Sequence, residues 1–161
     1  LIGYNSLSLG GAAILICDTN ASSLAPYPLE KSYSVILSGG LQFGEPTTGS
    51  IGQTGQMPTN AASLYFYLSL LSSLQVSFNG QVIPVIQAGS TANYAIMGAN
   101  ISAFAGQTVE LLFSALPNSG NVLLDNIQFS SSPIPEPGTL ALAALGGGLS
   151  GFRRRHGNPQ P

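Results

Sequence analysis

Along the first 130 residues, apolar and polar positions alternate in short runs separated by turn-forming residues. Eight runs stand out, at residues 12–17, 32–37, 62–70, 74–78, 81–86, 93–97, 108–114 and 121–129. A period of two marks strands with one buried face, and no convincing helical period interrupts it. Eight short strands with frequent turns predict an antiparallel β-sandwich. Residues 22–28 and 39–58, rich in Ser, Gly, Pro and Thr, read as loops, with a short strand possible at 50–53.

The sharpest local prediction is a hairpin over residues 74–85. Asn79-Gly80 supplies the two positive φ angles of a type I′ turn. In that register Phe78 faces Gln81, Val76 faces Ile83 and Leu74 faces Val85, which puts the apolar set on one face and Gln75 and Ser77 on the other. Pro84 cannot donate to a ladder, so its strand belongs at a sheet edge or on a bulge. In residues 64–70, Leu64, Phe66, Leu68 and Leu70 share one face and are expected in the core, while Tyr65 and Tyr67 share the other. The two tyrosines fit a stacking platform for sugar rings, and they equally fit ordinary half-buried strand positions.

Composition moves the expected location of the protein. Charged residues make up only 6% of 161 residues, against about a quarter in a typical soluble protein, and hydrophobic residues make up 44%. Ser, Thr, Asn, Gln and Gly must therefore wet the surface, which suits an extracytoplasmic protein. Before Pro133 the only base is Lys31, facing Asp18, Glu30, Glu45, Glu110 and Asp125; a mildly acidic domain with no basic patch is a poor nucleic-acid binder. Cys17 is the single cysteine, so it makes no intrachain disulfide, and it reads as a small apolar residue of a buried strand. The absence of an initiator Met suggests a fragment whose true N-terminus lies upstream.

Candidate chemistry is sparse. The one histidine, His156, lies in the tail, so residues 1–130 have no imidazole to serve a Ser-His-Asp or Cys-His site or a His-rich zinc centre. Two carboxylates can hydrolyse a glycoside if they flank the bond. Glu110 and Asp125 fall on strands expected to be neighbours, which keeps a glycoside hydrolase fragment as a remote alternative. A non-enzymatic protein without cofactors is the expectation. Asn20-Ala21-Ser22 and Asn100-Ile101-Ser102 fit the N-glycosylation pattern, which matters only in a host with that machinery.

Two stretches carry resemblances. Residues 102–113, SAFAGQTVELLF, followed by residues 123–129, LLDNIQF, resemble the last two strands of jelly-roll domains related to carbohydrate-binding and galactose-binding-like modules. The resemblance covers about thirty residues. It implies a jelly roll, polysaccharide as a possible partner, and Asp125 as the position where such domains can join a structural calcium site. A lone Asp falls short of the six to eight oxygens calcium takes, so an Asp125 that binds backbone N–H groups is the competing reading.

The second stretch is the end of the chain: Ser131 and Ser132, Pro135-Glu136-Pro137, an uncharged segment over 138–152, then Arg153-Arg154-Arg155. In order and position this resembles the C-terminal sorting signal of bacterial PEP-CTERM proteins, substrates of exosortase. The two prolines hold the backbone extended, which suits a protease groove, and Glu136 offers one charge to read. The resemblance implies that a membrane-embedded exosortase recognises Pro135, Glu136 and Pro137, cuts near them and passes the cargo to the envelope or extracellular matrix. Arg153, Arg154 and Arg155 would flank the membrane on the cytoplasmic side. Fifteen residues make a helix of about 22 Å, short of a hydrocarbon core of about 30 Å, so the segment suits a transient anchor. The expected organisation is a sandwich at 1–130, a Ser/Pro linker at 131–134 and a sorting signal at 135–161 that ends the chain in a short hydrophobic helix or tail.

Overall fold

Strict alternation in residues 64–68 builds β7 (Ser63–Ser69), with Leu64, Phe66 and Leu68 at most 2% exposed and Tyr65 and Tyr67 half-buried on the opposite face. A computed structural model describes residues 2–5, 12–18 and 28–134. In it β7 is an inner strand of a six-stranded sheet ordered β10 (Ile86–Ser90), β11 (Tyr94–Asn100), β7, β13 (Asn121–Ser130), β3 (Tyr33–Ser38) and β2 (Ala13–Asp18). A five-stranded sheet faces it, ordered β1 (Ile2–Asn5), β6 (Gly49–Gln56), β12 (Thr108–Ala115), β8 (Gln75–Phe78) and β9 (Gln81–Ile83). A small hairpin of β4 (Gly40–Gln42) and β5 (Glu45–Thr47) joins them, and all the pairings are antiparallel. Among the described residues the one helical element is a single 3₁₀ turn, Ser102–Phe104. The two sheets form an antiparallel β-sandwich; the hydrophobic helix expected in the tail falls outside the described residues.

The core lies between the sheets. Leu37, Leu64, Phe66, Val122 and Leu124 from the larger sheet meet Val76, Phe78, Val109 and Phe113 from the smaller one. Phe66 and Phe113 touch edge to face across the gap, with centroids 5.2 Å apart, a geometry that adds about 1 kcal/mol beyond the area buried. Polar groups inside are paired: Ser50 and Ser114 share a buried hydrogen bond of 2.8 Å, and no described buried side-chain polar atom lacks a partner.

The predicted hairpin forms with Val76 opposite Ile83 and Phe78 opposite Gln81, and its turn residues Asn79 and Gly80 have φ of 48° and 79°. The Leu74–Val85 pair does not form, because β9 ends before Pro84. Residues 81–86 are therefore not one strand. β9 is the edge of the smaller sheet, β10 the edge of the larger one, and Pro84-Val85 carries the chain between them. Leu70, placed in the core by alternation, is 44% exposed: the strand stops at Ser69, and Leu71 beyond it takes a positive φ of 61°.

The larger departure is in residues 39–58. Most of the segment expected to be loop is strand, and β6 pairs with the central strand β12 over eight residues. Two of its glycines, Gly49 and Gly52, suit close packing more than turning. A Cβ on Gly49 would lie 2.3 Å from the Ser38 carbonyl oxygen, and one on Gly52 would lie 2.7 Å from the Leu112 Cδ1. Glycine in a strand often marks such an approach, and here it cancels the composition cue for a loop.

Candidate functional site

β13 positions much of the candidate chemistry. Leu124 pairs with Leu68 and Asp125 with Tyr67, but Gln128 pairs with Tyr65 and Phe129 with Leu64, so β13 carries one extra residue between Asp125 and Gln128. Asn126, at φ 47°, absorbs the bulge. Without it, Ile127 and Phe129 would share the outward parity of Leu123 and Asp125; the extra residue turns both into the space between the sheets. There they help line a cleft of about 500 Å³ where β2, β3 and β13 face β6 and β12, with Ile16, Val35, Ile51 and Phe113 as further apolar walls.

Asp125 faces outward and is fully occupied with holding the chain. Its Oδ2 accepts from the Ser34 hydroxyl at 2.7 Å and from the Glu30 N–H at 3.3 Å, and its Oδ1 accepts from the Asn126 N–H at 2.7 Å. Ser34 Oγ in turn accepts from the Leu29 N–H at 2.8 Å. The carboxylate thus pins the segment entering β3 against the bulge of β13, and two of its three partners are backbone N–H groups. Among the described residues no group of three or more His, Cys, Asp or Glu is arranged to hold a metal.

The expected adjacency of Glu110 and Asp125 is not found. β12 pairs with β6 and β8, β13 pairs with β3 and β7, and the two strands lie in opposite sheets. Chain order suggested neighbours, whereas the chain passes from one layer to the other at the 116–120 turn. Glu110 is exposed on the outer face of the smaller sheet; its backbone N–H donates to Asn79 Oδ1 at 2.8 Å, which ties the hairpin turn to β12.

A second, smaller apolar cluster covers the outer face of the larger sheet: Cys17, Leu29, Ile36 and Leu123, with Tyr67 and Tyr94 packed against it. Cys17 is buried, as expected, but its strand is a sheet edge on which Ile16 is 70% exposed. Tyr67 and Tyr94, diagonal across β7 and β11, stack with centroids 4.3 Å apart and planes 18° from parallel. Partial burial holds the Tyr94 phenol above its ordinary value of 10.0, with help from a hydrogen bond with Tyr67 and the nearby Tyr67, Glu30 and Asp125 charges. Neither Tyr94 nor Glu30 stood out in the sequence as a site residue, because only the cross-strand register brings them beside Tyr67 and Asp125.

Tyr65 has a different neighbour. Residues 131–134, read from sequence as a linker, run back over the outer face of the same sheet. Ser132 N–H donates to Ser130 Oγ at 3.0 Å, and the buried Ser63 hydroxyl donates to the Ser132 carbonyl at 2.6 Å. The chain thus passes from β13 across β7 onto β11, where the half-buried Ile134 side chain lies over Gly98 and beside Tyr65. A Cβ on Gly98 would sit 2.7 Å from Ile134 Cδ1 and 3.3 Å from Tyr65 Cε1. Tyr65 and Tyr67 share a face as expected, yet one ring is edged by Ile134 and the other stacked on Tyr94.

Fold and site together define an antiparallel β-sandwich whose last strand leads straight into the C-terminal segment. Residues 133–155 match the family model of the PEP-CTERM protein-sorting motif. No curated protein and no solved structure matches the chain. Pro135, Glu136, Pro137, the apolar segment 138–152 and Arg153, Arg154 and Arg155 lie outside the described residues, and among the described ones no helix is long and apolar enough to cross a membrane.

Proposed function

We propose that this chain is a non-enzymatic, exported surface or extracellular-matrix protein, sorted and processed by exosortase through Pro135-Glu136-Pro137. The observation that carries the reading is the match of residues 133–155 to the sorting motif, three residues after the end of β13. On this reading the apolar segment anchors the chain transiently, the three arginines stay on the cytoplasmic side, and the processing chemistry belongs to exosortase. The test is to express the full chain with and without exosortase and to compare the mass and location of the product. Loss of the tail only where exosortase is present is the expected result, and an intact tail in both cells refutes the reading.

A second reading, a jelly-roll module that binds exopolysaccharide, is favoured by the half-buried Tyr67–Tyr94 stack beside Glu30 and Asp125. Aromatic faces against pyranose C–H groups with the Glu30 carboxylate for the hydroxyls are suitable chemistry. Retention on a polysaccharide panel, lost in Tyr94→Ala with the fold intact, supports it; no retention of the wild type at millimolar sugar refutes it.

A further inference from the structure

The sorting tripeptide begins one residue beyond Ile134, the last described residue, and Ile134 is held by the folded sandwich. That contact involves four features of the fold. Gly98 leaves an open seat on β11, Tyr65 borders it, Ser63 bonds the Ser132 carbonyl, and Ser130 bonds the Ser132 N–H. Gly98 is buried although it has no side chain, because Ile134 and Tyr65 cover it. A Cβ there would press on Ile134 Cδ1, and a bulky branched side chain would take the place that Ile134 occupies.

We propose that this clasp is a device that withholds the sorting motif: the outer face of the larger sheet docks residues 131–134, and processing requires that they be lifted off. The inference rests on the exosortase reading above. Its physical basis is reach. A protease groove takes an extended segment on both sides of the bond it cuts. With the clasp closed, four residue steps separate Ile134 from Gly138, at most about 14 Å of extended chain. With the clasp open back to Ser130, eight steps give about 28 Å, which frees the residues upstream of the motif for the enzyme. The cut itself breaks one peptide bond. The upstream carbonyl passes to water or to an amine acceptor, and the released tail leaves with a free, protonated amino terminus.

Gly98→Val tests the clasp without altering any residue from 131 to 137, and Ile134→Ala opens it from the other side. The full chain is pulse-labelled in an exosortase-bearing host, and tail loss is followed by mass. Both variants are expected to be processed about five-fold faster than wild type, a change equal to about 1 kcal/mol at 1.4 kcal/mol per factor of ten. The double variant is expected to gain nothing further, because both substitutions open one contact. Hydrogen exchange on the purified full chain should show the hydrogen-bonded Ser132 amide protected in wild type and released in Gly98→Val, with cooperative unfolding retained. If Gly98→Val does not fold, Ile134→Ala and Ser63→Ala decide the matter. Wild-type processing at a rate that neither variant raises overturns the clasp and leaves the sorting reading standing. An unprotected wild-type Ser132 amide also overturns it, and a chain that exosortase processes neither as wild type nor as either variant overturns both.

Discussion

Asp125 offers the cleanest test of how this fold uses its few charges. Replacing it with Ala removes the acceptor for the Ser34 hydroxyl and the Asn126 N–H, each at 2.7 Å, and for the Glu30 N–H at 3.3 Å. Hydrogen bonds to a charged acceptor contribute about 1.5–3 kcal/mol each. The carboxylate is only partly buried, so the low end applies to the two short bonds, and the long one adds little. Asp125→Ala should therefore cost about 3 kcal/mol, or roughly 10 °C in the midpoint of a domain this size. Asp125→Asn keeps one carbonyl acceptor and should lose about half as much. Thermal and urea unfolding of the purified protein, with and without millimolar calcium, gives the answer. Calcium should leave the wild-type midpoint unchanged, since protein donors already occupy the carboxylate. A loss below about 0.5 kcal/mol in Asp125→Ala would refute the hydrogen-bond argument, and a calcium-dependent rise seen only when Asp125 is present would make it a metal ligand instead.

Two further predictions rest on packing and on titration. On β6, Gly49→Ala should cost about 2 kcal/mol, because its Cβ would be driven against the Ser38 backbone, whereas Gly55→Ala, which meets nothing within 4 Å, should gain about 0.5 kcal/mol by stiffening the unfolded chain; equal effects at the two positions would contradict the packing described for this strand. The raised Tyr94 phenol keeps its proton in the folded state at pH values where the unfolded chain has lost it. Its contribution is therefore complete below the ordinary value of 10.0 and is lost as pH rises through the folded value. Near-ultraviolet phenolate titration should show a late-titrating tyrosine that Tyr94→Phe abolishes and Asp125→Asn shifts downward; a Tyr94→Phe titration curve identical to wild type would count against it.

How much of this was legible in the sequence depends on how local each feature is. The turn and inner pairs of the Asn79-Gly80 hairpin and the two faces of β7 as far as Ser69 follow from neighbours in the chain and stand as read, whereas the Leu74–Val85 pair and a buried Leu70 do not. β6 was legible only as a short strand at 50–53, because glycine and threonine usually signal turns, and the reason for glycine at positions 49 and 52 is the close approach of neighbouring strands. The bulge in β13 was hidden for a related reason. Residues 122–129 read as one alternating strand, and only pairing with β7 reveals that Asn126 is the extra residue that turns Ile127 and Phe129 inward. Composition set the tail apart from the sandwich, and it also led residues 131–134 to be read as a spacer. Ser and Pro are frequent in linkers, but Ser63 and Gly98, the residues that make this stretch part of the fold, lie far upstream.

Gly98 carried a sequence signal that only the structure gives meaning. A glycine within an alternating strand costs stability unless something must come close to it, and here that something is the side chain just before the sorting tripeptide. The tripeptide itself is readable alone, since prolines set their own backbone and need no partner. Its timing is a different property. If the motif were wholly free of its cargo, any sandwich would release it equally well, and the identity of a residue on β11 would not matter. Because Ile134 seats on Gly98, the rate at which the motif becomes available is coupled to the local stability of this sheet face. Substitutions that loosen the edge strand β10 or its neighbour β11 should then act on processing, while equally destabilising ones in the smaller sheet should not, as long as the sandwich remains folded.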